Sequence, residues 1–240
     1  IESSYHNFSV GTVNIGNNTS SFTKLSLTAT SGLTNDGTIN LTSNYSSSNG
    51  LAELEMTSGT LENNGTIQIT QGTGGTNATH IIDGEIDNTS DGTIDIDHDL
   101  KVTLASGETF TQHGVVDLAT STTLTIEGGT TIIGTGTTFS GTGDVNFTGT
   151  AALNLDSNFT LSTAIPVTAT GSLTIGSTDA TVHTLSNSGT LTLTNDIISS
   201  TVSLSNSGTL NIDDNYTRIQ GTFHNATLGT TNIGNSTAYL

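Results

Sequence analysis

One short phrase recurs along the chain: an Asn, a small or acidic residue, Gly, Thr, then apolar residues at every second position. It reads LTNDGTINLT at 33–42, LENNGTIQIT at 61–70, TSDGTIDID at 89–97, LSNSGTLTLT at 185–194 and LSNSGTLNID at 204–213. Looser versions stand at 11–16, 113–119, 142–149 and 170–176. Leu33 and Leu61 are 28 residues apart, and Leu185 and Leu204 are 19 apart. A unit that returns every 20–30 residues or so cannot bury an apolar face alone, but can do so against its neighbours, which points to a solenoid.

Each phrase carries strand chemistry. In GTINLT, Ile39 and Leu41 fall on one face and Thr38, Asn40 and Thr42 on the other. The Asn-x-Gly before each strand reads as a turn, with Gly37, Gly65, Gly189 and Gly208 free to take positive φ. No stretch between the strands has helical periodicity, so a doubly wound α/β fold is excluded. Thr, Ser, Asn and Gly dominate the rest, and all are poor helix formers.

The fold expected is all-β: a parallel β-helix of about 10–12 coils, with a β-sandwich as the alternative. A β-helix has a thin core, so 31% apolar residues suffice. Stacking would also bring Asn35, Asn63 or Asn64, Asn187 and Asn206 to like positions, where their amides can form a ladder.

A longer repeat encloses the short one. The opening IESSYHNFSVGTVNIGNNT returns as IQGTFHNATLGTTNIGNST from Ile219, at a constant offset of 218, with ten of nineteen residues identical. We therefore read 1–218 as one β-helical unit and 219–240 as the start of the next, stacked on the first as one continuous rod. The last coil is then expected to be built like the first. At the strand spacing, one unit would be roughly 50 Å long.

Charge removes several classes. Net charge is −18, with Lys24, Lys101 and Arg218 the only fixed cations. A phosphate backbone or an anionic membrane surface would be repelled, so no nucleic acid partner is expected. No run of about 18 apolar residues exists, so membrane insertion by a helix is not expected either. No secretory leader is legible, and the restarted phrase leads us to expect a piece of a longer chain. With no Cys, disulfides and thiolate metal sites are absent.

The strings LTNDGTINLT, LENNGTIQIT and LSNSGTLTLT resemble the β-helical stalks of large secreted surface proteins, of the filamentous-haemagglutinin and autotransporter adhesin type. The resemblance covers most of the chain and implies an extracellular or cell-surface location, an elongated shape and a role in adhesion, contact or a surface coat. It implies a non-enzymatic structural or adhesive repeat unit of a giant fibre, sheath or stalk. Its foremost partners would be other copies of itself, end to end or laterally, then a host or neighbouring cell surface or its glycans. The alternative is a ligand- or glycan-binding adhesin domain, which should carry an aromatic groove. Four Tyr and seven Phe are scattered instead. A polysaccharide-acting β-helix enzyme fits less well, since three cations cannot line a groove for acidic sugars. An ice-binding protein also fits less well, since coil length varies.

Three sets of residues could carry chemistry. In IDIDHDLK, Asp95, Asp97 and Asp99 are expected along the outer face of a strand, as candidates for Ca²⁺. Residues two apart on a strand are about 6.8 Å apart, too far for all three to grip one ion, so the competing reading is a solvated acidic stripe. No other cofactor is expected. Asn-x-Ser/Thr sequons are plentiful, including Asn7 and Asn88; the preferred glycosylation candidates are Asn44, Asn146, Asn158 and Asn215. The six histidines show no metal spacing and read as turn or packing residues.

Overall fold

The computed structural model describes residues 4–17, 25–43, 52–72, 79–161, 167–169, 172–178, 181–194, 196–213 and 216–234. Among them there is no helix, and every strand pairing is parallel. The chain is a staircase of three-strand coils, a β-solenoid, and the sandwich alternative is excluded because that architecture needs antiparallel hairpins.

One register line runs the whole length. Tyr5 pairs with Leu33, Leu33 with Leu61, Leu61 with Ile86 and Ile86 with Phe110. It continues through Thr131, Leu153, Ile175 and Ile198 to Ile219. We call this column face 1; it is ten strands deep, so eight coils have a neighbour on both sides. Face 3 is equally deep, from Leu25–Ala29 to Thr230–Ile233. Face 2 comes in two pieces: six strands from Thr12–Asn17 to Thr138–Gly141, then four from Phe159–Leu161 to Phe223–Asn225. Nine steps at the usual strand spacing give a rod about 45 Å long.

The alternation of each phrase sets the core. Ile39, Ile67, Ile94 and Val116 lie in register on face 2, as do Leu41, Ile69, Ile96 and Leu118, and all eight are buried. Burying each such side chain contributes about 1.5–3 kcal/mol. A one-residue slip would turn the whole row out to water, so the pattern also fixes the register.

Two strands turn a corner without a break. Leu100–Gln112 and Thr123–Ile133 each pass from face 3 round to face 1 of the next coil. Their mutual register shifts between Leu104 and Thr109, where the intervening residues bulge. Gly128 and Gly129, at φ of 75° and 52°, allow the tight bend opposite that bulge.

The phrase glycines Gly37, Gly65, Gly189 and Gly208 do not use their freedom to take positive φ. Crowding between coils is the reason that applies at three of them. A Cβ on Gly37 would lie 2.3 Å from the Gly11 carbonyl oxygen, on Gly65 2.2 Å from that of Gly37, and on Gly208 2.2 Å from that of Gly189. The corner of each coil sits directly on the corner below.

The same phrase does not keep the same face. Leu33–Asn35 and Leu61–Asn63 are on face 1 and the strands that follow them, Thr38–Ser43 and Thr66–Gln71, on face 2. Near the other end, His183–Asn187 and Val202–Asn206 are on face 2, followed on face 3 by Thr190–Leu193 and Thr209–Ile212. The long repeat behaves alike. Tyr5–Asn7 lies on face 1, whereas its counterpart Phe223–Asn225 lies on face 2. The last coil thus shares the local build of the first, one face further round, after nine and a third turns.

Candidate functional site

The inward-facing Asn at each corner forms a hydrogen-bonded ladder. Asn7 Nδ2 donates to Asn35 Oδ1, Asn35 to Asn63 and Asn63 to Asn88, each at 2.7 Å, and Asn88 donates to Gln112 Oε1 at 3.0 Å. The second amide hydrogen of each Asn reaches the carbonyl of Thr38, Thr66, Thr93 or Val115 at 3.1–3.2 Å. All five side chains are buried, and both amide hydrogens of each of the four Asn are satisfied without water. The amides all point the same way along the rod.

Of the neighbouring pair, the ladder runs through Asn63 and not Asn64. Asn64 sits in the turn, where it donates to Asp36 Oδ1 at 2.9 Å and accepts from Thr89 at 2.8 Å. Hydrogen bonds from Asn64, and then from His6 at 2.6 Å, hold the Asp36 carboxyl below its ordinary range. Sequence reasoning also passed over Asn7, Asn88, Gln112 and Asn225 as ladder residues. The Ile-Asp-Asn at 86–88 and His-Asn at 6–7 and 224–225 carried the signal; Gln112 carried none.

A second ladder stands at the other end. Asn187 donates to Asn206 at 2.8 Å and Asn206 to Asn225 at 2.7 Å, with backbone bonds to Thr209 and Thr230. Between the ladders lies an apolar waist. Ile133 follows Gln112 in register and Leu161 precedes Asn187, so Gln112 Nε2 and Asn187 Oδ1 are buried without hydrogen-bond partners. Face 2 is interrupted here as well. Phe139 and Phe159 meet edge to face at 5.9 Å across the interruption and, with Phe147, line a cavity of about 30 Å³.

The three carboxylates of the acidic run are not brought to one strand face. The strand Thr93–Ile96 ends before Asp97, because the chain turns there toward face 3. Asp95 points out from face 2, between Gln68 and Asp117 in register. Partial burial, then repulsion from Asp97 and Asp117, raises its pKa. Asp97 is exposed, and Asp99 Oδ1 accepts from the Thr123 amide at 2.8 Å. Among the described residues no three His, Cys, Asp or Glu side chains are placed to hold one metal ion.

Sequon residues differ in access. Asn7 and Asn88 are buried in the ladder. Asn146 is half-buried on face 3 with Phe147 pointing inward. Asn158 is exposed, and its Oδ1 accepts from the Thr184 amide at 2.8 Å. Asn44 and Asn215 lie outside the described residues.

One histidine is a core residue. His80 is fully buried; its Nδ1 accepts from the Ala52 amide at 3.1 Å and its Nε2 bonds the Thr70 carbonyl at 3.2 Å. Burial, then the His98 ring 5.4 Å away, pushes its pKa down to about 4. The bond from Ala52 also requires the neutral ring. These groups hold successive coils together. Comparison with protein-family models, with curated proteins and with solved structures gave no match.

Proposed function

We propose that this chain is a non-enzymatic, extracellular structural or adhesive β-solenoid, and that its copies join end to end in a cell-surface fibre, sheath or stalk. The supporting observation is that the coil at Arg218–Gly234 repeats the build of the coil at Tyr5–Asn17, down to the corner Asn and its bond to the glycine carbonyl four residues on. A last coil built locally like the first is fitted to continue the like-on-like stacking that runs along the rod. The mechanism is mechanical: each added coil extends three parallel ladders of backbone hydrogen bonds, and exposed sheet edges pair readily with similar ones. The acidic sides discourage lateral association, which leaves the ends.

The test is electron microscopy with sedimentation of the purified chain across a concentration series. Rods whose lengths are multiples of about 45 Å, of constant width, are the expected outcome. Monomers at every concentration, or lateral sheets, overturn the proposal. Binding to glycans without assembly would favour an adhesin domain instead.

A further inference from the structure

We infer that adjoining copies of this chain are related by a screw of one face, a third of a turn, so that the second copy's face 1 stands on the first copy's face 2. This rests on the end-to-end reading above and adds a geometry to it.

Three observations carry it. The fold stacks like on like: Leu185, Ser186 and Asn187 lie under Leu204, Ser205 and Asn206, and Thr38 and Ile39 under Thr66 and Ile67. The most similar segments at the two ends are the strand and corner of the long repeat. They lie one face apart, so stacking His6 on His224 and Asn7 on Asn225 requires the one-face rotation. It also brings Asn14 over Asn232 and Ile15 over Ile233.

The ladders supply the second observation. Within one chain they are offset by a face, Asn7 to Gln112 on face 1 and Asn187 to Asn225 on face 2. The rotation aligns them into one column across the junction. The direction of donation is also right: Asn225 Oδ1 accepts from Asn206, leaving its amide to reach the Oδ1 of the partner copy's Asn7, which itself donates onward to Asn35. Without rotation, Asn225 would lie beneath the apolar Ile15. The Gly229 carbonyl would receive the Thr12 amide as Gly11 receives Thr38 and Gly208 receives Thr230.

The third observation is where apolar surface and charge lie. Five of the seven exposed large hydrophobics among the described residues are on the two end coils: Phe8, Val10, Phe223, Leu228 and Ile233. Residues 3–23 and 219–240 contain no Asp, Glu, Lys or Arg, while the chain as a whole carries −18. The second copy therefore meets end coils that carry no Asp, Glu, Lys or Arg beyond Arg218, and repelling sides. One consequence is that the row of Asp95 and Asp117 on face 2 turns by a third per copy, and three copies distribute it round the fibre.

The chain has no Cys, so single-cysteine variants report cleanly. His224→Cys is mixed with His6→Cys, or with Asn14→Cys, and oxidised with diamide, which takes up the two thiol hydrogens as the disulfide forms. All three sites are exposed, and paired strand positions fall within disulfide reach. The expected result is a 6–224 disulfide, identified by peptide mass, at least tenfold more abundant than 14–224. Dominance of 14–224 overturns the screw and leaves end-to-end assembly standing. Neither disulfide in a mixture that sediments as monomers overturns both, and neither in a mixture that sediments as assemblies overturns the end-to-end junction itself.

Discussion

The first five coils and the last three solve one problem with the same residues, yet differ in coil length and in face. Steps between face 1 partners are 28, 28, 25 and 24 residues in the first block, whereas face 2 partners in the last block are 19 apart. The first block buries five amides in an unbroken ladder; the last buries two and leaves Asn225 exposed. Between them the waist has Ile133 and Leu161 in place of amides, and there the phrase moves on by one face. The comparison teaches that the Asn-x-Gly corner is a transferable joint. It stacks on a like corner, and does not depend on which side of the solenoid it occupies.

The largest effects are expected at the glycine joints. Gly65→Val places side-chain atoms into the Gly37 carbonyl, and a loss of roughly 4 kcal/mol is expected by urea denaturation, with Gly208→Val doing the same to the last block. Hydrogen exchange should show each variant opening its own block first.

A smaller effect separates the middle of a ladder from its end. Asn63→Leu strands the Asn35 donor and the Asn88 acceptor in the core and should cost about 2–3 kcal/mol. Gln112→Leu removes an amide whose Nε2 already lacks a partner, and should cost less than about 1 kcal/mol. Equal losses at the two sites would show that the ladder acts as ordinary packing.

Acid acts on His80, which belongs to the first block alone. The unfolded imidazole titrates near 6.5 and the folded one at about 4. Protons therefore favour the unfolded chain across that window. Stability is full above pH 6.5, falls by about 3 kcal/mol as pH drops to 4, and levels off below. Asp87 and Asp95, whose carboxyls are raised, act in the opposite sense, so the loss is read as the difference between the native chain and His80→Gln.

The mildest expected change is at the acidic row. Asp95→Asn relieves repulsion from Asp97 and Asp117, and should stabilise by a few tenths of a kcal/mol at pH 7. The gain should vanish in acid, where Asp95 is protonated in the native chain, and it should shrink in high salt.

Much of this was legible beforehand because it is local. Alternation in GTINLT and GTLTLT determined strands and their inward residues, the spacing of phrases determined a stacked repeat, and the absence of helical periodicity determined an all-β chain. Asn35, Asn187 and Asn206 could be read as ladder residues because each sits at a fixed place in its phrase. The glycines were legible as necessary, but for the wrong reason: what excludes a side chain is the corner of the next coil, which no single phrase contains.

Only the tertiary structure decided which face each phrase takes, that Asn63 and not Asn64 enters the ladder, that Gln112 ends it and that the acidic run bends away after Asp95. The physical reason is cumulative. A phrase specifies strand, corner and strand, but its face depends on how many residues every earlier coil used. Two strands that round a corner without stopping, Leu100–Gln112 and Thr123–Ile133, change that count without leaving a mark in the pattern.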